Sequence, residues 1–272
     1  MAIEYPEAVI IAKQMKTLLP GRTVSNVIIR NPDAAVFKWG FSNLNTYDIS
    51  GQKIGSIEQF GDYIFVGLDG SKLTFGDMIG SILYHGPSEK RLPKSAIIME
   101  LDDGGAFSYN PTLYGYCKAM APEDEQLVRK DSWVQPLTDA FTPEYLAKVF
   151  TDPERKIAKQ MNIYNSEHKV AGAGNGYWQE VLFLCGIHPQ RKSKLITPNE
   201  RERLHHTINQ VMTDALNKGG SCDEKNFLGE KGGYVRAMGG HLKGQPCPRC
   251  GHTVTGKNIL GANVYFCSEC QK

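Results

Sequence analysis

Two Cys-x-x-Cys pairs stand in the last 26 residues of the chain, at Cys247 and Cys250 and at Cys267 and Cys270. Two intervening residues let both sulfurs of a pair face one metal ion from a tight turn. The 16 residues between the pairs bring the second pair to the same ion from the other arm of a hairpin. Because four thiolates fill the coordination shell of zinc, the pattern predicts one structural Zn2+ with no open position for substrate or water. Four buried cysteines or two disulfides are the alternatives.

The residues between the two pairs form a short hairpin in this interpretation. Gly251, Gly256 and Gly261 interrupt the gap, and residues 263–266 predict its returning strand. A zinc hairpin this small has little core of its own, so we expect it to present its backbone and a few side chains to a partner.

A glycine-rich turn over residues 171–177 precedes a predicted helix from Trp178 to Cys185. Such a turn can aim several backbone N–H groups at an anion, although on local grounds a plain turn between helices explains it better. Basic residues that follow the helix or lie in the hairpin favour a phosphate backbone as the partner. They are Arg191, Lys192, Lys194, Arg249 and Lys257.

The remaining pattern predicts an α+β protein: an antiparallel β-sandwich with an N-terminal helix, then a helical domain that ends in the zinc hairpin. A helix is predicted from Pro6 to Leu19, and a capping box at Thr197 and Glu200 opens another helix after the one at Trp178–Cys185. Strands are predicted at Val24–Arg30, Tyr63–Leu68, Lys72–Phe75 and Ala96–Leu101. We predict domains at residues 1–135 and 136–220, a mobile loop at 221–244 and the zinc finger at 245–272.

Composition narrows the functional classes. The chain has 272 residues, of which 41% are hydrophobic, and a net charge of +2, which permits a nucleic-acid partner without requiring one. The longest apolar run is too short to span a membrane, and the acidic N-terminus differs from a signal peptide. Three cysteines lie outside the zinc pattern, an odd number typical of a reducing compartment, so we expect a cytoplasmic protein. We also expect a monomer.

Residues 172–189 resemble the helix–two-turn–helix signature of the formamidopyrimidine-DNA glycosylase/endonuclease VIII family, and residues 244–272 resemble its C-terminal zinc finger. Glu4, Pro6 and Glu7 are similar to its N-terminal signature. The resemblance implies a β-sandwich joined to a helical and zinc domain, with DNA in the cleft between them. It also implies excision of oxidised bases followed by cleavage of the abasic strand.

Four positions depart from the family pattern. The resemblance implies an N-terminal proline amine that forms a Schiff base with the sugar, but Ile3 stands there, and removal of methionine would free the amine of Ala2 one residue too early. The family's phosphate-binding lysine falls at Asp62. The arginine that fills the hole left by a flipped base falls at Leu113, and the phosphate-gripping arginine of the zinc hairpin falls at Ala262.

Several residues remain as site candidates under this resemblance. Glu4 and the Ala2 amine are the catalytic candidates, although Glu4 is equally explained as an acid that a helix N-terminus stabilises. Met78 stands at the position of the family's intercalating methionine, and a core or surface-loop methionine explains it equally well. The nucleic-acid-binding candidates are Asn175, Gly174, Met78, Tyr114 and Lys257.

The sequence therefore favours a zinc-containing nucleic-acid-binding protein that lacks the usual abasic-site lyase activity. DNA is the expected partner, and structured RNA is a second possibility. The alternative is a working DNA glycosylase in which Glu4 or Glu7 activates a water, because base removal alone needs no Schiff base. A protein-interaction module on the same scaffold is a third hypothesis that no residue pattern supports directly.

Overall fold

The N-terminal helix nearly matches its predicted bounds. In the computed structural model, helix α1 covers Tyr5–Leu18. Pro6 lies in its first turn, where no helical N–H partner is required, and Gly21 follows its end with a φ of 87°. The structure describes residues 2–31, 35–89, 95–113, 115–161, 167–259 and 261–272.

Contacts between Cα atoms divide the chain into two compact units. The first unit contains Met1–Lys130 and Lys218–Gly233, and the second contains Asp131–Asn217 and Tyr234–Lys272. The predicted domain boundaries stay predictions, because compactness alone does not establish which segments fold independently.

The first unit is the predicted β-sandwich. Two antiparallel four-stranded sheets, ordered β1-β6-β7-β5 and β2-β3-β4-β8, share one core with α1. Phe75 of one sheet meets Phe107 of the other with their ring centroids 6.5 Å apart. A short helix, α2 (Ala35–Lys38), follows the first strand. The strands are β1 Val24–Ile29, β2 Ile54–Phe60, β3 Tyr63–Leu68, β4 Lys72–Gly76, β5 Gly80–His85, β6 Ile97–Leu101, β7 Ala106–Pro111 and β8 Tyr116–Met120.

Four strands match the predicted segments to within one residue at each end, and four others, β2, β5, β7 and β8, were not predicted. In β2 the expected alternation of apolar and polar residues is broken, because the pairing with β3 shifts register between Ile54 and Ile57. The shift explains the three-residue spacing of the buried Ile54 and Ile57, whereas the buried Phe60 lies in the regular part of the ladder, on the opposite face of the strand from Ile57.

Residues 218–233 pack into the first unit, although the sequence predicts a mobile loop from residue 221. Phe227 is fully buried in the sandwich core. Its carbonyl accepts a hydrogen bond from the Tyr84 N–H at 2.7 Å, and its N–H donates to the Gln14 side chain at 2.9 Å. One aromatic residue in a polar, glycine-rich stretch has no periodicity, so the sequence pattern did not indicate this contact.

The second unit is helical and ends in a two-stranded hairpin. Helix α3 begins after Thr142, whose hydroxyl accepts a hydrogen bond from the Tyr145 N–H at 3.1 Å. The predicted capping box is present, since Thr197 and Glu200 bond each other's backbone N–H at 2.9 and 3.3 Å. The elements are α3 Pro143–Val149, α4 Ile157–Met161, α5 Asn175–Leu184, α6 Pro198–Asn217, β9 Thr255–Ile259 and β10 Ala262–Phe266.

Helices in the described part of the chain are too short or too polar to cross a membrane.

We predict that Phe227→Ala lowers the free energy of unfolding of the first unit by about 3–5 kcal/mol, because it leaves a cavity in a packed core. Denaturant titration of the full chain measures the change. Leu228→Ala is the matched control, because the neighbouring side chain is 49% exposed, and we expect it to change stability by no more than about 0.5 kcal/mol. Equal, small effects of the two substitutions would contradict the packing of this segment.

Candidate zinc centre and nucleic-acid interface

The four sulfur atoms of the paired cysteines meet at one point in the zinc hairpin, residues 245–272. The Sγ atoms of Cys247, Cys250, Cys267 and Cys270 all lie within 4.8 Å of one another. Two of the Sγ–Sγ distances are 3.8 and 3.5 Å. A tetrahedron with Zn–S bonds of about 2.3 Å separates its sulfurs by about 3.8 Å, whereas a disulfide bond measures about 2.05 Å. The arrangement therefore fits one zinc ion, and the two-disulfide alternative is wrong.

Backbone groups around the first pair prepare it for metal binding. Gly251 has a φ of 77°, which turns the chain back so that the Cys247 N–H reaches the His252 carbonyl at 2.7 Å. Burial works to raise the pKa of Cys247, but hydrogen bonds from the backbone N–H groups of Arg249 and Cys250 lower this pKa to about 7. Since four thiolates complete the shell, the zinc is structural, as predicted.

Helix α5 supports the zinc hairpin along its length. The Asn175 side chain donates a hydrogen bond to the Asn263 carbonyl at 2.9 Å, and the Tyr265 N–H donates to the Gln179 side chain at 3.1 Å. Asn175 and Gln179 are four residues apart, so they lie on one face of the helix. Phe183, one turn further, packs in a buried cluster with Met238, Cys247, Val254 and Cys267.

The end of the chain is tied to the turn that follows α5. The Lys272 N–H donates to the Gly186 carbonyl at 3.0 Å, and the Gln271 side chain donates to the Ile187 carbonyl at 2.9 Å. The Arg249 guanidinium lies 4.6 Å from the centre of the Phe183 ring and donates to the Leu184 carbonyl at 3.3 Å. The zinc hairpin and the helix signature are thus one bonded assembly.

The nucleic-acid-binding candidates of the second unit lie on this assembly. Gly174 is the residue before α5, and Asn175 is the first residue of the helix, where it bonds the hairpin. Lys257 is exposed on β9, and its ammonium group is 3.4 Å from the Gln190 side chain. A binding role for these three residues stays a prediction.

Most of the basic residues that we expected to meet phosphate contact other groups of the protein. Arg191 pairs with Glu200 at 2.5 Å and is only 19% exposed, which makes it part of the fold. Lys192 and Lys194 both pair with Glu154, and they lower the pKa of this carboxyl to about 2. Because these lysines are about half exposed, their pairs with Glu154 are weak and can be exchanged for phosphate.

Glu180 is a buried acid on α5 that sequence reasoning missed. One carboxylate oxygen accepts hydrogen bonds from the Ala237 N–H at 2.6 Å and the Tyr234 hydroxyl at 3.1 Å. Burial raises the pKa of Glu180, and the nearby Asp214 raises it further, whereas the bonds and Arg236 act to lower it. Glu180 therefore fixes residues 234–237, which lead into the zinc hairpin. The sequence does not indicate these contacts, because a glutamate within a helical segment is usually exposed.

The start of the chain is built into the sandwich. The Ile3 side chain is 4% exposed, and its backbone N–H donates to the Met78 carbonyl at 2.8 Å. Ala2 forms an isolated antiparallel bridge with Ile79. Glu4 is the buried N-cap of α1.

Glu7 joins the first turn of α1 to the segment after α6. Its carboxylate accepts hydrogen bonds from the Ser221 N–H at 2.9 Å and from the Glu4 N–H at 3.3 Å. A shallow recess lies beside it, bordered by Gly220, Glu224 and Asn226. The sequence alone did not place Glu7 against this segment, because the two are more than 200 residues apart.

The other family-equivalent positions have local roles or are exposed. Asp62 accepts a hydrogen bond from the Asp77 N–H at 3.2 Å. Met78 is buried in the core at 2% exposure, which is the alternative that we gave for it. Leu113 is 64% exposed beside Thr112, and Ala262 begins β10. Tyr114 lies outside the described residues.

Comparisons with known proteins cover the whole chain. The formamidopyrimidine-DNA glycosylase N-terminal domain matches residues 2–112, the formamidopyrimidine-DNA glycosylase H2TH domain matches residues 134–226, and the zinc finger found in FPG and IleRS matches residues 244–272. The formamidopyrimidine-DNA glycosylase of Photobacterium profundum is 30% identical, and that of Gluconobacter oxydans is 28% identical. Each alignment covers 99% of both chains.

Solved structures of low identity share the fold. The MutM (Fpg) protein from Thermus thermophilus has a TM-score of 0.81 at 24% identity, with 98% of each chain covered. Lactococcus lactis Fpg, solved with DNA that contains an abasic site, has a TM-score of 0.81 at 22% identity, with 99% of each chain covered.

We predict that Cys247→Ser abolishes stoichiometric zinc binding and unfolds the zinc hairpin, because three thiolates leave the metal shell incomplete and the hairpin has few buried residues of its own. Metal analysis of the purified chain should give about one zinc per molecule for the wild type. Cys222→Ser is the control, since this cysteine lies outside the cluster. Unchanged zinc content in Cys247→Ser would refute the assignment.

We predict that Glu180→Gln alters the pH dependence of stability. Because the pKa of Glu180 is raised in the folded state, the folded chain holds this proton more tightly than the unfolded chain. Stability that protonated Glu180 contributes is therefore fully present below the ordinary glutamate pKa and is lost as pH rises through the raised value. Denaturant titrations at constant zinc should show this loss in the wild type and not in Glu180→Gln. Glu202→Gln, at an exposed position of α6, should follow the wild type, and parallel curves for all three proteins would contradict the prediction.

Proposed function

The chain belongs to the formamidopyrimidine-DNA glycosylase family, and on that premise we propose that it binds DNA without cleaving an abasic strand through an amine at residue 3. Lactococcus lactis Fpg has been solved with abasic-site DNA, and a mutant of it has been solved with Fapy-dG-containing DNA. Duplex DNA with a lesion or an abasic site is accordingly the partner that we expect for this chain.

The observation that carries the proposal is the state of the Ile3 nitrogen. Schiff-base chemistry needs a free amine with an available lone pair that can reach the sugar. The Ile3 nitrogen is a peptide amide whose N–H bonds the Met78 carbonyl at 2.8 Å, and the Ile3 side chain is buried. Ile3 therefore contributes to the packing of the sandwich and offers no nucleophile.

The neighbouring substitutions support the same proposal. Asp62 carries a charge that repels phosphate, and it is engaged with the Asp77 N–H. Leu113 is exposed but has no hydrogen-bonding group with which to read an opposite base. Ala262 provides no cation on the zinc hairpin. The retained features are the zinc centre and the helix signature, which serve binding rather than bond cleavage.

A second candidate is base removal without strand cleavage, in which Glu4 or Glu7 acts as the acid or base. Glu4, the N-cap of α1, and Glu7, in its first turn, are both buried acids, and base removal needs an acid or base at the reacting bond. Against it, both oxygens of the Glu7 carboxylate already accept backbone hydrogen bonds. Structured RNA as a partner and the monomeric state stay predictions.

We predict that the zinc-loaded full chain binds a duplex with one abasic site and forms no covalent adduct when borohydride is added. Binding should weaken as salt rises, because phosphate contacts release counterions. Gel shift and denaturing electrophoresis of the same samples measure the two properties. A family glycosylase that has an N-terminal proline is the positive control for trapping.

A trapped adduct would contradict the proposal, and its position would identify the amine. The first basic residue of the chain is Lys13, so trypsin releases the N-terminal peptide that ends there. An adduct on that peptide would assign the reaction to the Ala2 amine. Release of an oxidised base without an adduct, abolished by Glu4→Gln, would support the second candidate instead.

A further inference from the structure

Trp39 is an exposed tryptophan on the first unit. Its side chain is 66% exposed, whereas Trp133 and Trp178, which complete the set of three, are 5% and 2% exposed. Tryptophan is highly buried on average, and its large ring contributes strongly to interfaces when it is exposed. Contact with a binding partner would explain why the Trp39 ring is exposed.

The Trp39 ring is presented by a fixed turn rather than by a loose loop. The Trp39 N–H bonds the Ala35 carbonyl at 2.9 Å, and Gly40 reverses the chain with a φ of 70°. The Phe41 ring then meets the Trp39 ring edge to face, with centroids 6.3 Å apart. Because the Phe41 ring already packs against the Trp39 ring, ordering Trp39 in a complex costs little conformational entropy.

The segment after Trp39 is joined to β8, the edge strand of its sheet. The Cys117 N–H donates to the Phe41 carbonyl at 2.9 Å. The Asn43 side chain bonds both backbone groups of Ala119, at 2.8 and 2.9 Å. The aromatic turn and this edge of the sheet thus form one surface, which we name the Trp39 surface (Ala35–Asn43 with Tyr116 and Lys118).

The Trp39 surface carries two cations and, among its own residues, no carboxylate. Lys38 is the one charged residue in the sequence from Ala35 to Asn43, and Asp33 and Asp48 lie outside this segment. Lys118 adds a second cation, with its ammonium group 5.1 Å from the centre of the Tyr116 ring. Among the residues that the structure describes, no carboxylate forms an ion pair with Lys38 or Lys118. Charge complementarity therefore favours an anionic partner.

We propose that the Trp39 surface binds single-stranded nucleic acid, with the indole stacked on an unpaired base and Lys38 beside the adjoining phosphate. An exposed aromatic face next to cations is the combination that single-strand binding uses, because every base has a face and every linkage a negative charge. Duplex bases already stack on their neighbours, so a surface ring cannot reach their faces. A protein partner would instead need a wider apolar area than this ring, which has Lys38 and Gly40 on either side.

This inference rests on the proposed nucleic-acid function but places a second contact outside the zinc hairpin and α5. It concerns strand segments that are unpaired. It also requires nothing of residue 3 or of any catalytic group.

Intrinsic fluorescence tests the inference directly, because Trp39 is the exposed indole and the other two tryptophans are buried. The zinc-loaded full chain is titrated with labelled oligothymidine of about 12 nucleotides, within one single-strand site size. We expect the exposed emission to be quenched in step with the anisotropy of the label. Full binding without quenching would overturn the inference.

Two variants measure the contribution of the ring. Trp39→Leu should weaken oligothymidine binding roughly five- to a hundred-fold, the usual effect of losing one stacked base. Trp39→Phe should keep most of the binding, which shows that the turn still folds. Leu127→Ala, at a 72% exposed apolar residue of the same unit, should bind like the wild type. Wild-type affinity in Trp39→Leu would overturn the inference.

The outcomes separate this inference from the proposed function. Quenching and binding by oligothymidine, with no binding of the abasic duplex, would support the Trp39 surface and refute the proposed function. Binding of the abasic duplex, with no response to oligothymidine, would do the reverse. Failure to bind either nucleic acid would refute both.

Discussion

The second unit depends on the convergence of four thiolates on one metal ion. The zinc hairpin buries only a small cluster around Phe183, Val254 and two of the cysteines, which is too little to hold a hairpin by apolar burial alone. Metal coordination provides the missing stabilisation, since binding free energy of a structural zinc is folding free energy. Once the hairpin is fixed, Asn263 and Tyr265 reach the two polar side chains that α5 presents one turn apart. Loss of the metal would therefore also remove the hydrogen bond that orients the Asn175 side chain.

Two altered positions of the first unit have structural roles. Ile3 fills the sandwich core and Asp62 holds the Asp77 N–H, while Glu7, which matches the family signature, holds Ser221. Removing a buried side chain or a hydrogen-bonded carboxylate destabilises the fold. A structural role therefore explains each of these residues without catalysis. This is why the scaffold can retain its family fold while the proposed chemistry differs.

The stretch after α6 is divided between the two units, and each part has its own anchor. Phe227 fixes residues 218–233 by burying a ring in the sandwich core, whereas Glu180 fixes residues 234–237 by two hydrogen bonds to one carboxylate oxygen. One anchor is apolar and insensitive to pH, and the other titrates. A change in pH therefore acts on Glu180 directly, whereas the burial of Phe227 involves no ionisable side chain.

The sequence by itself determined the zinc ligands, the α+β class, the capped helices and the family, because each depends on spacing within a short window. Two residues between cysteines, a threonine three residues before a glutamate, and a glycine turn before a helix are local patterns with local causes. The tertiary structure alone decided which charges are available, since Arg191 and Arg249 look like phosphate ligands until Glu200 and Phe183 are seen beside them. It also decided the burial of Met78 and Phe227, the exposure of Trp39 and the partner of Glu7. Those properties arise from contacts between residues far apart in the chain, and a single sequence does not encode such contacts in any local period.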